Sequence, residues 1–168
     1  MKTKTVILLF LTTAVCSFGM PDERGVPLLQ NLNPDLADIG PSNWCIVQDE
    51  RGIVYVGNDL GVLEFDGRDW RLLKIPKLSS VRTLALDTTG HIFVTAVSEF
   101  GYFAPDSVGS MKFHSLLPLF GKEYETVGEV WDVETTSHGV YFKSKNHMFR
   151  YHRDNIKVWE ANGTYRLY

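Results

Sequence analysis

The sequence predicts an all-β fold: a partial β-propeller of about three four-stranded antiparallel blades plus the first strand of a fourth. Three observations lead there. Short runs rich in Val, Ile, Leu and aromatic residues are separated by Gly-, Asp- and Asn-containing turn signals. The inner runs are apolar at consecutive positions rather than alternating, so their strands need cover on both faces. The whole group then recurs at a period of about 40 residues, the length of a propeller blade.

The first unit spans Asn43 to Pro76. Its turn signals are Asp49-Glu50-Arg51-Gly52, Gly57-Asn58-Asp59-Leu60-Gly61 and Asp66-Gly67-Arg68. These residues supply the positive-φ positions that tight hairpins require. Strands are expected near Trp44–Gln48, Ile53–Val56, Gly61–Asp66 and Trp70–Lys74. Ile53-Val54-Tyr55-Val56 does not alternate, and neither does Val62-Leu63 before Phe65. One meander cannot cover both faces of such strands; a stack of meanders can.

The second copy runs from Val81 through Val94 without a gap. Asp49 falls on Asp87, Gly52 on Gly90 and Tyr55 on Phe93, and Glu64-Phe65-Asp66 then faces Phe103-Ala104-Pro105-Asp106 after a short insertion. The third starts at Val130-Trp131-Asp132-Val133 and continues through Gly139–Phe142, Met148–Tyr151 and Ile156–Trp159. It departs from the pattern: Glu134-Thr135-Thr136-Ser137-His138-Gly139 replaces the Asp-x-x-Gly turn, and no Gly precedes Met148. The expected blades are about 43–76, 81–117 and 129–160, with 164–168 opening a fourth; Leu117–Gly128 reads as a loop. Trp44, Tyr55, Phe65, Phe93, Phe103, Trp131, Tyr141 and Phe149 are expected to be mostly buried between blades. WD40 and kelch signatures are absent.

The run Asp49-Glu50-Arg51-Gly52-Ile53-Val54-Tyr55-Val56-Gly57 resembles the two-component-regulator propeller repeat. Asn43-Trp44, Gln48-Asp49, Glu64-Phe65-Asp66-Gly67 and Glu99-Phe100-Gly101-Tyr102 sharpen the likeness to the periplasmic sensor propellers of Bacteroidetes-type signalling proteins, in which a triple-tyrosine domain usually follows. The resemblance covers about residues 26 to 168. It implies a ligand-sensing module of a longer signal-transduction protein, with further blades or downstream signalling domains as partners and a glycan or another small molecule as ligand. On this reading the chain is an N-terminal piece of a longer sensor. The alternatives are a small product that needs a partner, a fragment of a propeller-fold carbohydrate-active enzyme, or a scaffold for protein contacts.

The first 19 residues read as a secretory signal peptide. Lys2 and Lys4 precede the apolar core Val6–Val15, and Ser17 and Gly19 are small residues before a cut. The core is too short for a membrane span. A lipoprotein signal ending at Cys16 is the alternative, disfavoured by Val15 before the cysteine. Cleavage would leave Cys45 as the one thiol, with no internal disulfide, and would place the protein in the periplasm. It would also remove two positive charges from a chain of formal net charge −3. This balance offers no footprint for nucleic acid or anionic lipid. Residues 20–42 form a lead-in whose Val26–Leu29 is either a ring-closing strand or a linker.

Catalytic chemistry is not evident. There is no Gly-rich phosphate loop, His-Glu-x-x-His, Gly-x-Ser-x-Gly or Cys-x-x-Cys. The segment is therefore expected not to be an enzyme and to carry no cofactor or metal. Asp49, Asp66, Asp87 and Asp106 recur at repeat positions, which argues for turn chemistry. In a propeller the loops from strand two to three and from strand four to the next blade share one face. Asn58, Asp59 and Glu99 fall on those loops, and Asn43, Trp44 and Arg82 open innermost strands near the channel. These six are the candidate ligand-binding residues. Aromatic, amide, carboxylate and arginine groups together suit a glycan, through stacking and hydrogen bonds.

Overall fold

The computed structural model describes residues 30–34, 36, 39–76, 79–97, 99–120 and 129–160. The chain divides into two units, 1–33 and 34–168. The described residues of the first, 30–33, form no helix or strand. The expected signal peptide, Val26–Leu29, and the fourth-blade strand at 164–168 lie outside the described residues. Among the described residues, no helix is long and apolar enough to cross a membrane.

The second unit holds three four-stranded antiparallel meanders, a partial β-propeller. The first blade is β1 (Asn43–Gln48), β2 (Val54–Asn58), β3 (Gly61–Phe65) and β4 (Trp70–Leu73). The second is β5 (Val81–Leu86), β6 (Ile92–Ala96), β7 (Glu99–Pro105) and β8 (Met111–Ser115). The third is β9 (Val130–Thr136), β10 (Gly139–Ser144), β11 (His147–His152) and β12 (Asn155–Glu160). Within each sheet neighbouring strands are consecutive in sequence.

The turns follow from the repeated aspartates. Asp49 Oδ1 accepts the N–H groups of Arg51 (2.9 Å) and Ile53 (3.0 Å). Asp87 Oδ1 accepts those of Thr89 (2.8 Å) and His91 (2.9 Å). Asp106 Oδ1 accepts those of Val108 and Ser110, both at 2.9 Å. Gly52, Gly90 and Gly109 close these turns at φ near 85°, where an L side chain is strained. The third blade, which lacks the Asp-x-x-Gly turn, still forms. Its last hairpin places Arg153 and Asp154 at φ 50° and 59°, as a two-residue type I′ connection demands.

Blade two explains the non-alternating runs. Ile92, Val94, Ala96 and Phe103 join Val81 and Leu84 in a core against Tyr55 and Val62 of blade one. Phe93 and Phe100, facing the other way, join Val130, Val133, Phe142 and Phe149 of blade three. Thr83 Oγ1 donates to the Trp131 carbonyl (2.5 Å) and Thr135 Oγ1 to that of Leu86 (2.9 Å), tying the inner strands of blades two and three. Ile46 aligns with Leu84 and Val133 but is 68% exposed, because no described sheet packs on that face of blade one.

Two expectations need correction. Tyr55, Phe93, Phe103 and Phe149 are buried between blades, but Trp44 and Trp131 are 51% and 37% exposed, and Phe65 and Tyr141 are half-buried. The tryptophans are turned out of the sheet interfaces by β-bulges. In addition, Leu117–Phe120, read as loop, is a 3-10 helix. Its Phe120 is buried edge-on against Phe100 and Phe149, at centroid distances of 5.2 and 4.9 Å.

Candidate functional site

Each innermost strand carries a bulge at the same place. In blade one, Asn43 pairs with Asn58 and Cys45 with Gly57, leaving Trp44 unpaired. In blade two, Val81 pairs with Ala96 and Thr83 with Thr95, leaving Arg82. In blade three, Val130 pairs with Ser144 and Asp132 with Lys143, leaving Trp131. A bulge adds one residue against its partner strand and re-aims that residue's side chain. Three equivalent bulges thus turn Trp44, Arg82 and Trp131 toward one another.

The result is a stack across all three blades. The Arg82 guanidinium carbon lies 4.3 Å from the Trp44 ring centroid and 5.2 Å from that of Trp131. Both distances are within cation–π range. Arg82 Nη2 donates to Glu129 Oε1 at 3.1 Å, with the two side chains 16% and 32% exposed. Arg82 Nε is buried and has no hydrogen-bond partner among the described residues. Glu129, just before β9, is itself held by a bridge to Val97 of blade two.

Asp59 anchors the other end. Its Oδ1 accepts the Trp44 indole N–H (2.8 Å) and the Ser80 hydroxyl (3.1 Å), and its Oδ2 accepts the Ser42 N–H (3.1 Å). The Trp44 bond first, then those from Ser80 and Ser42, hold the Asp59 carboxyl below the usual carboxylate range against slight desolvation. The neighbouring Asn58 is buried and fully occupied. Its amide N–H groups reach the carbonyls of Gly40 (2.9 Å) and Ser42 (3.0 Å) and Asn43 Oδ1 (2.8 Å). Its Oδ1 accepts the N–H groups of Gly40 (2.8 Å) and Leu60 (3.2 Å).

Of the six predicted residues, Trp44, Asp59 and Arg82 therefore converge. Asn43 borders them through Asn58, which clips the lead-in to blade one. Glu99 belongs to a different environment. Its buried carboxylate accepts its neighbour Phe100 N–H (3.0 Å) and the Ser115 hydroxyl (2.7 Å), joining β7 to the end of β8. Trp131 and Glu129 complete the site but were not among the predicted residues. The spacing of Val130 and Val133 carries a signal for Trp131, since two core residues three apart in one strand require a bulge between them; Glu129, before the strand, carries none.

Among the described residues, no group of three or more His, Cys, Asp and Glu is placed to hold a metal ion. Cys45 packs at the edge of the core between blades one and two, and burial pushes its thiol up, against weaker backbone contacts at Gly57 and Leu84. That disfavours the thiolate a nucleophile requires.

No protein-family model matches the chain, and no curated protein matches it. Solved structures do. The chain is similar to selenomethionine-substituted virginiamycin B lyase from Staphylococcus aureus, with TM-score 0.61 and 17% identity over 80% of this chain and 45% of that one. It is also similar to a catalytically inactive variant of that lyase with Quinupristin, with TM-score 0.62 and the same identity and coverage. The chain thus spans less than half the length of these relatives, and the likeness shows the propeller fold alone. It also overturns the expectation that this segment is not an enzyme. That expectation rested on missing motifs, whereas these solved structures of the fold are of an enzyme, so missing motifs do not exclude catalysis on this architecture.

Proposed function

We propose that this chain is an extracytoplasmic ligand-binding propeller module that belongs to a signalling protein of the two-component-regulator type, with a glycan or another small cyclic molecule as its ligand. One observation carries the binding reading: three bulges at equivalent positions bring Trp44, Arg82 and Trp131 together at one end of the inner strands. Nothing in sheet packing calls for a bulged, half-exposed tryptophan, since both indoles lie outside the cores between blades. Exposed indoles stack on sugar rings, and the adjoining Asp59, Glu129 and Arg82 offer hydrogen-bonding groups for hydroxyls. The export half of the reading rests on Lys2, Lys4, Val6–Val15, Ser17 and Gly19.

The test is a titration of the full chain with a panel of oligosaccharides, followed by tryptophan fluorescence, on wild type and on Trp44→Ala and Trp131→Ala. Saturable binding that both substitutions abolish, with a cooperative melt retained in each variant, is the expected result. Binding indifferent to both would defeat the reading. A catalytic variant of it is favoured by one observation, the lyase that shares the fold. Chromatography of the incubated oligosaccharides separates the two, because turnover changes the ligand and sensing does not.

A further inference from the structure

We infer that the ligand bound at Arg82 carries a carboxylate on a ring, and that Glu129 occupies part of that carboxylate's place when the site is empty. The inference rests on the binding function proposed for Trp44, Arg82 and Trp131, and names the chemical class of the ligand.

The geometry points to it in three steps. The guanidinium carbon lies over two indole rings, 4.3 Å from the Trp44 centroid and 5.2 Å from that of Trp131. A guanidinium that packs on aromatic rings offers a polar ligand its in-plane N–H groups. Those groups form a fork that matches a carboxylate with two parallel hydrogen bonds. The fork is incompletely used: Glu129 Oε1 meets Nη2 alone at 3.1 Å, while the adjacent Nε–H is buried and unpaired among the described residues.

A buried donor without a partner is costly, and a carboxylate bridging Nε and Nη2 would satisfy it. Glu129 does not do so from its position before β9, where its backbone is bridged to Val97. Its side chain is 32% exposed, so water can take over its solvation when a ligand displaces it. A ligand carboxylate that displaces it gains the second hydrogen bond. The ring bearing that carboxylate then comes to rest beside Trp44 and Trp131, which are 51% and 37% exposed even though each has Arg82 beside it. A sugar acid and an aromatic acid share this chemistry.

The probes are tri-galacturonate, neutral galactotriose, and benzoate, each titrated into the full chain by tryptophan fluorescence at low and high salt. Tri-galacturonate or benzoate should bind, weaken with salt, and leave galactotriose without effect; which acid binds tells the sugar source from the aromatic one. Glu129→Gln removes the competing charge and should tighten binding by about fivefold, while Arg82→Lys, which lacks the fork, should weaken it at least about tenfold. Thermal melts of both variants check that they fold. Galactotriose binding as tightly as tri-galacturonate would overturn the acidic assignment and leave the glycan-binding reading standing. Weaker binding in Glu129→Gln, or Arg82→Lys equal to wild type, would overturn the displacement of Glu129 and the use of the fork. If none of the three probes binds, the inference fails, and the oligosaccharide panel decides the function it rests on.

Discussion

The Arg82 guanidinium lies 4.3 Å above the Trp44 ring, across the seam between the first two blades. Both residues occupy the bulge of an innermost strand. A feature that would be a local irregularity in one sheet becomes, repeated in three, a row of side chains delivered to one place. The repeat thus sets the geometry of the site, and residue identity at the bulge sets its chemistry.

The coupling between these two residues is measurable. In a double-mutant cycle of Arg82→Ala and Trp44→Ala, the interaction energy read from urea melts should be about 0.5–2 kcal/mol, the range for cation–π pairs from exposed to desolvated. Additive single mutants would show that the stack contributes nothing to joining the blades.

Burial separates the aromatics into two groups. Phe93→Ala removes a ring 2% exposed that touches Phe142 and Tyr151 of the next blade, at centroid distances of 6.2 and 6.3 Å, and should cost about 3–5 kcal/mol. Phe65 packs, tilted, against Trp70 of its own blade at a centroid distance of 4.7 Å and is only half-buried, so Phe65→Ala should cost clearly less. Equal losses in urea melts would mean that the cores between blades do not carry the stability.

Asn58→Ala should destabilise the chain by about 2 kcal/mol or more, because it orphans buried groups rather than merely removing a contact. Five hydrogen bonds leave that one side chain, three of them to backbone of the lead-in at Gly40 and Ser42. Hydrogen exchange should show the amide of Gly40 losing protection before those of β6. Unchanged exchange at Gly40 would remove Asn58 as the clip.

Acid should unfold the protein through its turn aspartates. Burial opposes ionisation of Asp49 and Asp87, yet hydrogen bonds from Arg51 and Ile53, and from Thr89 and His91, hold both carboxyls below their ordinary value. A carboxyl depressed in the folded state contributes stability that is present above its unfolded pKa, about 4, and is lost as pH falls through the folded value. The urea midpoint should therefore be flat between about pH 7 and 5 and fall below about pH 4. Asp87→Asn should lower the neutral midpoint and make the acid decline shallower. A midpoint that rises on acidification would contradict the cited shifts.

The fold was legible because its causes are local. Aspartate turns, glycines at positive φ and runs apolar on both faces specify hairpins that must stack. The site was half legible. Trp44 and Arg82 were recognisable because they open innermost strands. Trp131 was not, because a tryptophan beside Val130 and Val133 reads as core until the register is known, and a one-residue offset leaves composition unchanged. Glu99 misled for the converse reason: a carboxylate in a loop position proved to be spent inside its own blade, on Phe100 and Ser115.

The bulges make a prediction that a regular sheet would not. Removing one residue from a strand normally flips every side chain on one side of the deletion to the opposite face. Trp131 is the extra residue of β9, so its deletion brings Val130 next to Asp132 and lets Ser144 and Lys143 pair with them in unbroken register. Val130 and Val133 then stand two apart and keep their common face on the core with Phe142 and Phe149. The protein lacking Trp131 should fold cooperatively, at the expense of the Thr83 hydrogen bond and the Arg82 contact, and should lose ligand binding. Deletion of Tyr141 from β10, which pairs without an offset on either side of it, should abolish folding. Circular dichroism and urea melts of the two deletions decide. If both unfold alike, Trp131 is part of the ladder after all, and the bulge does not account for the site.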